Sequence, residues 1–153
     1  MPSETDLIKL YSDKILKMAA DPIYRDRLPT PDASATKRSP LCGSTVTVDI
    51  NVESGVITGY GQDVRACALG QASSTIMGKA IIGCSLSEVQ RACKELSEML
   101  SNKGPTPTKP FDDLYILQPA SEYKNRHASI LLAFEATLAA FNQIEGQTSL
   151  PSN

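Results

Sequence analysis

Apolar and polar residues alternate in a short stretch of the first half of the chain. The apolar positions of STVTVDINV are Val46, Val48, Ile50 and Val52. A period of two is typical of a β-strand with one buried face, and after the turn signal ESG the segment VITGYGQDV predicts a second strand. Gly59 and Gly61 in this second strand indicate a bulge or a close backbone approach. The pattern therefore predicts an antiparallel hairpin over residues 45–60 at the centre of a small sheet.

Apolar residues recur at helical spacing on both sides of this hairpin. They predict a first helix over about residues 5–20, a helix that begins near Cys67, a third over residues 83–104 and a last one that begins near Arg126. Small residues in the helix that begins near Cys67 allow another backbone to pack closely against it. They are Ala68, Gly70, Ala72, Ser73 and Gly78.

The order of these elements is a helix, antiparallel strands and then helices, which indicates the α+β class. We expect a small antiparallel sheet covered on one face by helices. A chain of 153 residues fits a single domain over residues 1–153, with residues 145–153 as a flexible tail. Residues 25–39 are polar and contain prolines, which indicates a loop or an edge segment. With three Phe and no Trp, the core must be mostly aliphatic and alanine.

Charge and composition exclude several functional classes. The net charge is −2, so no basic field would attract nucleic acid. No apolar run reaches the roughly 18 residues of a membrane span, and the amphipathic first segment has no signal-peptide core. We therefore expect a cytoplasmic protein that binds neither nucleic acid nor membrane. In a reducing cytoplasm its four cysteines are thiols or ligands rather than a disulfide framework.

Two of the cysteines flank the predicted hairpin. Cys42 lies just before its first strand and Cys67 just after its second. If the strands pair, both thiols come to one edge of the sheet. A helix N-terminus favours the thiolate form of a cysteine, so Cys67 suits a metal ligand or a nucleophile. The alternative is that both are small buried hydrophobic residues, as free cysteines often are. We interpret Cys84 and Cys93 as structural.

The remaining chemical signals are weak. His127 is the only histidine, and a lone histidine is more often a polar group at a helix start than a ligand. A zinc enzyme with two histidine ligands is therefore excluded. The pair Gly59 and Gly61 lacks the rest of a nucleotide-binding fingerprint.

A longer stretch of the sequence resembles the NifU N-terminal type of iron–sulfur cluster assembly scaffold, and most of all its SufU-like branch. In that family C-G-D precedes a hairpin, and G-x-G-C-A-[IL]-S-x-A-S-x-S follows it. The segments LCGSTVTVDI and GVITGYGQDVRACALGQASSTIMGKAIIG carry the resemblance, together with an opening and a closing helix. The matching residues are Cys42, Gly43, Cys67, Ala68, Ala72, Ser73 and Met77.

The resemblance implies a set of ligand positions from which this chain departs twice. The family uses three cysteines and an aspartate. Here Ser44 stands at the aspartate position and Ser129 at the position of the third cysteine, with His127 two residues before it. Serine hydroxyls are poor ligands for zinc or iron compared with thiolate or carboxylate.

The function implied by the resemblance is that of a carrier, not an enzyme. The chain would accept sulfur from a cysteine desulfurase, hold iron, zinc or a [2Fe–2S] cluster, and pass its cargo to acceptor apoproteins. Cys42 and Cys67 would be thiolate ligands or persulfide acceptors. Ser44, His127 and Ser129 would complete the pocket, and His127 could supply a nitrogen ligand. A cluster would require a homodimer, because it takes four thiolates, and the isolated chain would be largely free of metal.

Two other interpretations remain open at this point. The chain could be a metal-free paralogue that binds and regulates the assembly machinery, which the two replaced ligands favour. It could also be a sulfur-transfer protein in which Cys67 alone is chemically active.

Overall fold

The computed structural model describes residues 11–21, 26–40 and 43–149, with side chains up to residue 144. Cys42 and the first part of the predicted opening helix lie outside these residues. The elements in chain order are α1 (Asp13–Ala20), β1 (Ala33–Arg38), β2 (Thr45–Glu53), β3 (Val56–Arg65), α2 (Ala68–Ala80), α3 (Leu86–Asn102), a 3₁₀ segment (Asp112–Glu122) and α4 (Lys124–Ser149). The predicted α+β class is confirmed.

The sheet has three antiparallel strands in the order β1-β2-β3. The predicted hairpin is formed by β2 and β3, and its register shifts at Asn51 and Val52, opposite Gly59. At Gly61 a Cβ atom would collide with the backbone carbonyl of Asp26, so this glycine permits a close backbone approach. The bulge and the close approach expected from the two glycines are therefore both present.

The third strand comes from the segment interpreted as a loop or an edge. Residues Ala33–Arg38 pair with β2, from Ala33 opposite Ile50 to Arg38 opposite Thr45. The last three residues of β1 are exposed. A strand at the edge of a sheet can remain polar, which is why β1 gives almost no alternation signal. The middle strand of the sheet is β2 rather than the hairpin as a whole.

Helices cover one face of the sheet. The last helix, α4, packs across β1 and β2 and against α2 and α3. Val46, Val48 and Ile50 are completely buried beneath it, as the alternation predicts. All three phenylalanines are buried in the core, and Phe111 meets Phe134 edge to face with ring centroids 5.7 Å apart. Among the described residues, no helix combines the length and the apolar character needed to cross a membrane.

The helix boundaries follow local signals. Ser85 and Glu88 form the capping box that the sequence predicts at the start of α3. Pro119 lies inside the 3₁₀ segment, which the sequence indicated only as a short stretch. The last helix begins at Lys124 and extends to Ser149, into residues 145–153 that were predicted to be a tail.

The opposite face of the sheet carries a buried carboxylate. Asp49 on β2 is completely buried. Arg27 forms two hydrogen bonds with it, of 2.6 and 3.0 Å, and the Leu28 N–H donates a third at 2.9 Å. The Ser34 hydroxyl on β1 donates a fourth. Burial alone would raise the pKa of Asp49, but the bonds from Arg27, Ser34 and Leu28 together lower it below its usual value.

We predict that Asp49→Asn lowers the free energy of unfolding by about 3 kcal/mol at pH 7, because it breaks a buried ion pair. Because the pKa of Asp49 is lower in the folded than in the unfolded state, its ionised carboxylate stabilises the fold above the unfolded-state pKa of about 3.9. This stabilisation is lost as the pH falls through the folded-state pKa. The difference between parent and variant stabilities should therefore begin to shrink below about pH 4 and disappear only when the pH is below the folded-state pKa. Denaturant unfolding from pH 7 to pH 2 measures both effects.

The control for this prediction is Asp63→Asn. Asp63 pairs with Arg65 at 3.5 Å on the surface, and both side chains are exposed, so its loss should cost less than about 1 kcal/mol. Equal stability losses for the two variants would contradict the role assigned to Asp49.

Candidate functional site

Cys67 lies at the junction of the sheet and the second helix. It is the N-cap residue of α2, with φ −65° and ψ 170°, and its side chain forms no capping hydrogen bond. The Gln71 N–H donates to the Cys67 carbonyl at 2.9 Å, and the Gln71 side chain donates to the Ala66 carbonyl at 2.8 Å. The backbone on both sides of Cys67 is therefore fixed, while its half-buried thiol remains partly accessible.

Three of the predicted site residues form one chain of side-chain contacts. Cys67 Sγ lies 3.5 Å from Ser129 Oγ on α4. The Ser129 hydroxyl also lies 3.2 Å from Ser44 Oγ, just before β2, and donates to it. Both serines are buried, at 1% and 3% exposure. Positions 85 residues apart in the sequence are thus brought together beside the thiol.

Small residues of α2 make this meeting possible. A Cβ atom on Gly70 would lie 2.5 Å from Ser129 Oγ and 3.2 Å from the Ser129 carbonyl oxygen. One turn further, the Ser73 hydroxyl donates to the Ile130 carbonyl at 2.7 Å. The close helix packing predicted from the small residues of α2 is confirmed. It allows Ser129 to contact Cys67.

The loop between β1 and β2 borders the same site. The Ser39 N–H donates to the Ser44 carbonyl at 2.8 Å, and the Gly43 N–H donates to the Ser39 carbonyl at 2.8 Å. Gly43 has φ +73°, a conformation that favours glycine. Cys42 directly precedes Gly43 but lies outside the described residues. Its proximity to Cys67 stays a prediction.

A polar cluster that sequence reasoning missed lies in the core between the sheet and the two helices. The Tyr60 hydroxyl is 3.3 Å from both Gln62 Oε1 and Thr137 Oγ1, and the Gln62 amide donates to the Ser74 carbonyl at 3.0 Å. These contacts connect β3 to α4 and α2. The sequence signal for this polar cluster is Gln62, because a Gln on the buried face of a strand needs hydrogen-bond partners.

His127 is engaged elsewhere. Its Nε2 is 2.9 Å from the Ala120 carbonyl oxygen of the 3₁₀ segment. Because a carbonyl oxygen can only accept, this nitrogen donates a hydrogen bond to it. Residues two apart on a helix do not share a face, so His127 and Ser129 point in different directions. No described contact joins His127 to the site, and its role as a nitrogen ligand stays a prediction.

The other two described cysteines differ from Cys67. Burial, together with the nearby negative charge of Glu88, raises the pKa of Cys84 to about 11, and its thiol donates to the Ala80 carbonyl at 3.3 Å. Burial and the Glu135 carboxylate likewise raise the pKa of Cys93 to about 11. Both side chains are therefore protonated at neutral pH, which supports their interpretation as structural.

Among the described residues, the donor set of the site contains only one soft ligand and little negative charge. In the part of the chain that the structure describes, no group of three or more His, Cys, Asp and Glu side chains could hold a metal ion. The site offers one described thiol and two hydroxyls that hydrogen-bond to each other. Hydroxyls are weak ligands for iron and zinc, so a tightly held metal centre needs further thiolates.

Comparison with known proteins shows which family the sequence matches. The sequence model of the family described as the NifU-like N terminal domain matches residues 10–129. The crystal structure of a NifU-like protein (N-terminal) from Brucella abortus is 41% identical, with a TM-score of 0.90, and the match covers 93% of this chain and 99% of that one.

Two further relatives are more distant. The iron–sulfur cluster assembly scaffold protein IscU of Thermotoga maritima is 24% identical over 135 residues, which are 88% of this chain and 94% of that protein. A putative SUF-system scaffold from Fervidobacterium islandicum is 19% identical with a TM-score of 0.77, and the match covers 87% of this chain and 97% of that one. At that identity, the similarity concerns the fold alone.

We predict that Cys67 reacts with an alkylating agent much faster than Cys84 or Cys93 at pH 7. A thiol with a pKa of about 11 is ionised in about one molecule in ten thousand at this pH. Brief labelling followed by peptide mapping measures all the rates in one sample. The same measurement on urea-unfolded protein is the control, because unfolding should equalise them. Faster labelling of Cys93 in the folded protein would contradict the assigned environments.

Proposed function

The chain belongs to the family of NifU-like N-terminal domains, and we propose that it is a scaffold on which an iron–sulfur cluster is assembled before transfer to an acceptor protein. The observation that carries the proposal is the contact chain from Cys67 through Ser129 to Ser44. The resemblance assigns a ligand role to these three positions, and they meet although they belong to three different elements.

The thiols are the groups that act on the cargo. Cys67 supplies one thiolate, and Cys42, two residues before Ser44, supplies the second. A [2Fe–2S] cluster takes four thiolates. Two copies of the chain that meet at this edge of the sheet would supply four around a two-fold axis, which is the commonest symmetry of a dimer. Ser44 and Ser129 then border the cluster without ligating it.

The proposed partners follow from the role of a scaffold. A cysteine desulfurase supplies sulfur as a persulfide, and apoproteins that need a cluster receive the product. Persulfide and thiolate chemistry require reduced cysteines, which suits the cytoplasm. Two thiolates and two serine hydroxyls lack the charge and softness of a full ligand set, so we expect the protein to be isolated largely without metal or with weakly bound zinc.

Anaerobic reconstitution with ferrous iron and sulfide tests the proposal. We expect cluster absorbance that elutes with a dimer at about one cluster for two chains, because each chain supplies two thiolates. Cys67→Ala should abolish the absorbance, whereas the matched control Cys93→Ala, on the middle of α3, should keep it. Absorbance that elutes with the monomer or survives in Cys67→Ala would contradict the bridged arrangement.

A second prediction concerns the replaced ligands. Ser44→Asp combined with Ser129→Cys adds a carboxylate and a thiolate beside Cys67 and should raise the affinity for zinc by orders of magnitude. Competition with a zinc chelator measures it. The control adds Cys67→Ala to this double variant, which removes the thiolate beside the new groups and should return most of the gained affinity. If the double variant binds zinc no tighter than the parent chain, the assignment of positions 44 and 129 is wrong.

A further inference from the structure

The side chain of Ser39 lies on the same face of the sheet as Ser44. The β1–β2 register ends with Arg38 opposite Thr45, and the bond from the Ser39 N–H to the Ser44 carbonyl extends it by one pair. Directly opposed residues of antiparallel strands project their side chains to the same face. Ser44 faces Ser129 of α4, so Ser39 belongs to the helix-covered side, in agreement with its 1% exposure.

The Ser39 hydroxyl is buried and has no hydrogen-bond partner among the described residues. This is unusual, since most buried polar side chains are paired, and an unpaired one costs stability. The neighbouring hydroxyls do have partners: Ser129 contacts both Cys67 and Ser44. Ser39 is therefore a buried donor that lies opposite Ser44, is held there by the backbone bond between them, and has a hydroxyl with no partner among the described residues.

The chemistry of the site indicates what that hydroxyl binds. Ser44, which lies opposite Ser39, and Ser129 both carry neutral hydroxyls, and Ser129 contacts the Cys67 thiol. Neutral donors suit an electron-rich acceptor, and hydrogen bonds to the sulfurs of an iron–sulfur cluster stabilise its negative charge. We propose that Ser39 is a further binding residue, whose hydroxyl donates a hydrogen bond to a sulfur of the bound cluster. This inference rests on the proposed scaffold function.

The test compares Ser39→Ala with the parent chain in two states. Without cargo, the variant should unfold at the same temperature or higher, because the substitution removes an unpaired buried hydroxyl. With cargo, it should lose its cluster about three to ten times faster to an excess of chelator, since one hydrogen bond is lost. Thermal unfolding of the unloaded protein and the decay of cluster absorbance measure these two quantities.

Two further variants separate binding from packing. Ser39→Thr keeps the hydroxyl and should keep the parent lifetime of the cluster. Ser74→Ala removes another buried serine hydroxyl, one that donates to the Gly70 carbonyl at 2.9 Å, and should also leave the lifetime unchanged.

The outcomes distinguish this inference from the function on which it rests. A Ser39→Ala chain that keeps the parent cluster lifetime, or that unfolds at a clearly lower temperature when unloaded, overturns the role of Ser39 alone. A parent chain that takes up no cluster at all overturns both the scaffold function and this inference.

Discussion

Gly70 on α2 lies so close to Ser129 on α4 that a single added carbon would come within 2.5 Å of the serine oxygen. The rest of the site depends on this approach of two helices. It holds Ser129 against Cys67 at the start of α2, and through Ser129 it reaches Ser44 at the start of β2. Below it, the bond from Ser73 to Ile130 and the cluster around Tyr60 and Gln62 lock the same two helices to each other and to β3. The side chains beside the Cys67 thiol are therefore held in place by both helices and the sheet.

Ser44 and Ser129 make this site less negatively charged than a full ligand set of three cysteines and an aspartate would be. Three thiolates and a carboxylate buried together would repel one another without a cation, since burial and like charges both disfavour ionised groups. Ser44 and Ser129 instead satisfy each other by a hydrogen bond of 3.2 Å while almost completely buried. The two serine hydroxyls therefore need no bound cation to remain buried. It also follows that negative charge for binding iron must come from cysteines, and that one chain by itself supplies little of it.

Much of this arrangement could be predicted from the sequence, and the parts that could not have physical causes. Val46, Val48 and Ile50 alternate because one face of β2 is buried, so the hairpin and the position of Cys67 after it were predictable. β1 was predictable only as one of two alternatives, a loop or an edge segment, because an edge strand can be polar, as Thr36 and Lys37 are. His127 was expected near Ser129 from its sequence distance alone, but a separation of two residues on a helix turns it towards Ala120 instead. Ser39 carries no signal of its own, since its importance depends on a strand register that the sequence does not specify.

That register is fixed from the other face of the sheet. Ser34 on β1 lies opposite Asp49 on β2, and its hydroxyl donates to the Asp49 carboxylate, which Arg27 and Leu28 also bind. The Ser34–Asp49 hydrogen bond joins the two strands five residue pairs away from the position where Ser39 lies opposite Ser44. A slip of one residue would turn every side chain of β1 to the opposite face, and Ser39 would leave the site. The Asp49 contacts on the outer face thus help to fix the register that places Ser39 and Ser44 together on the inner face.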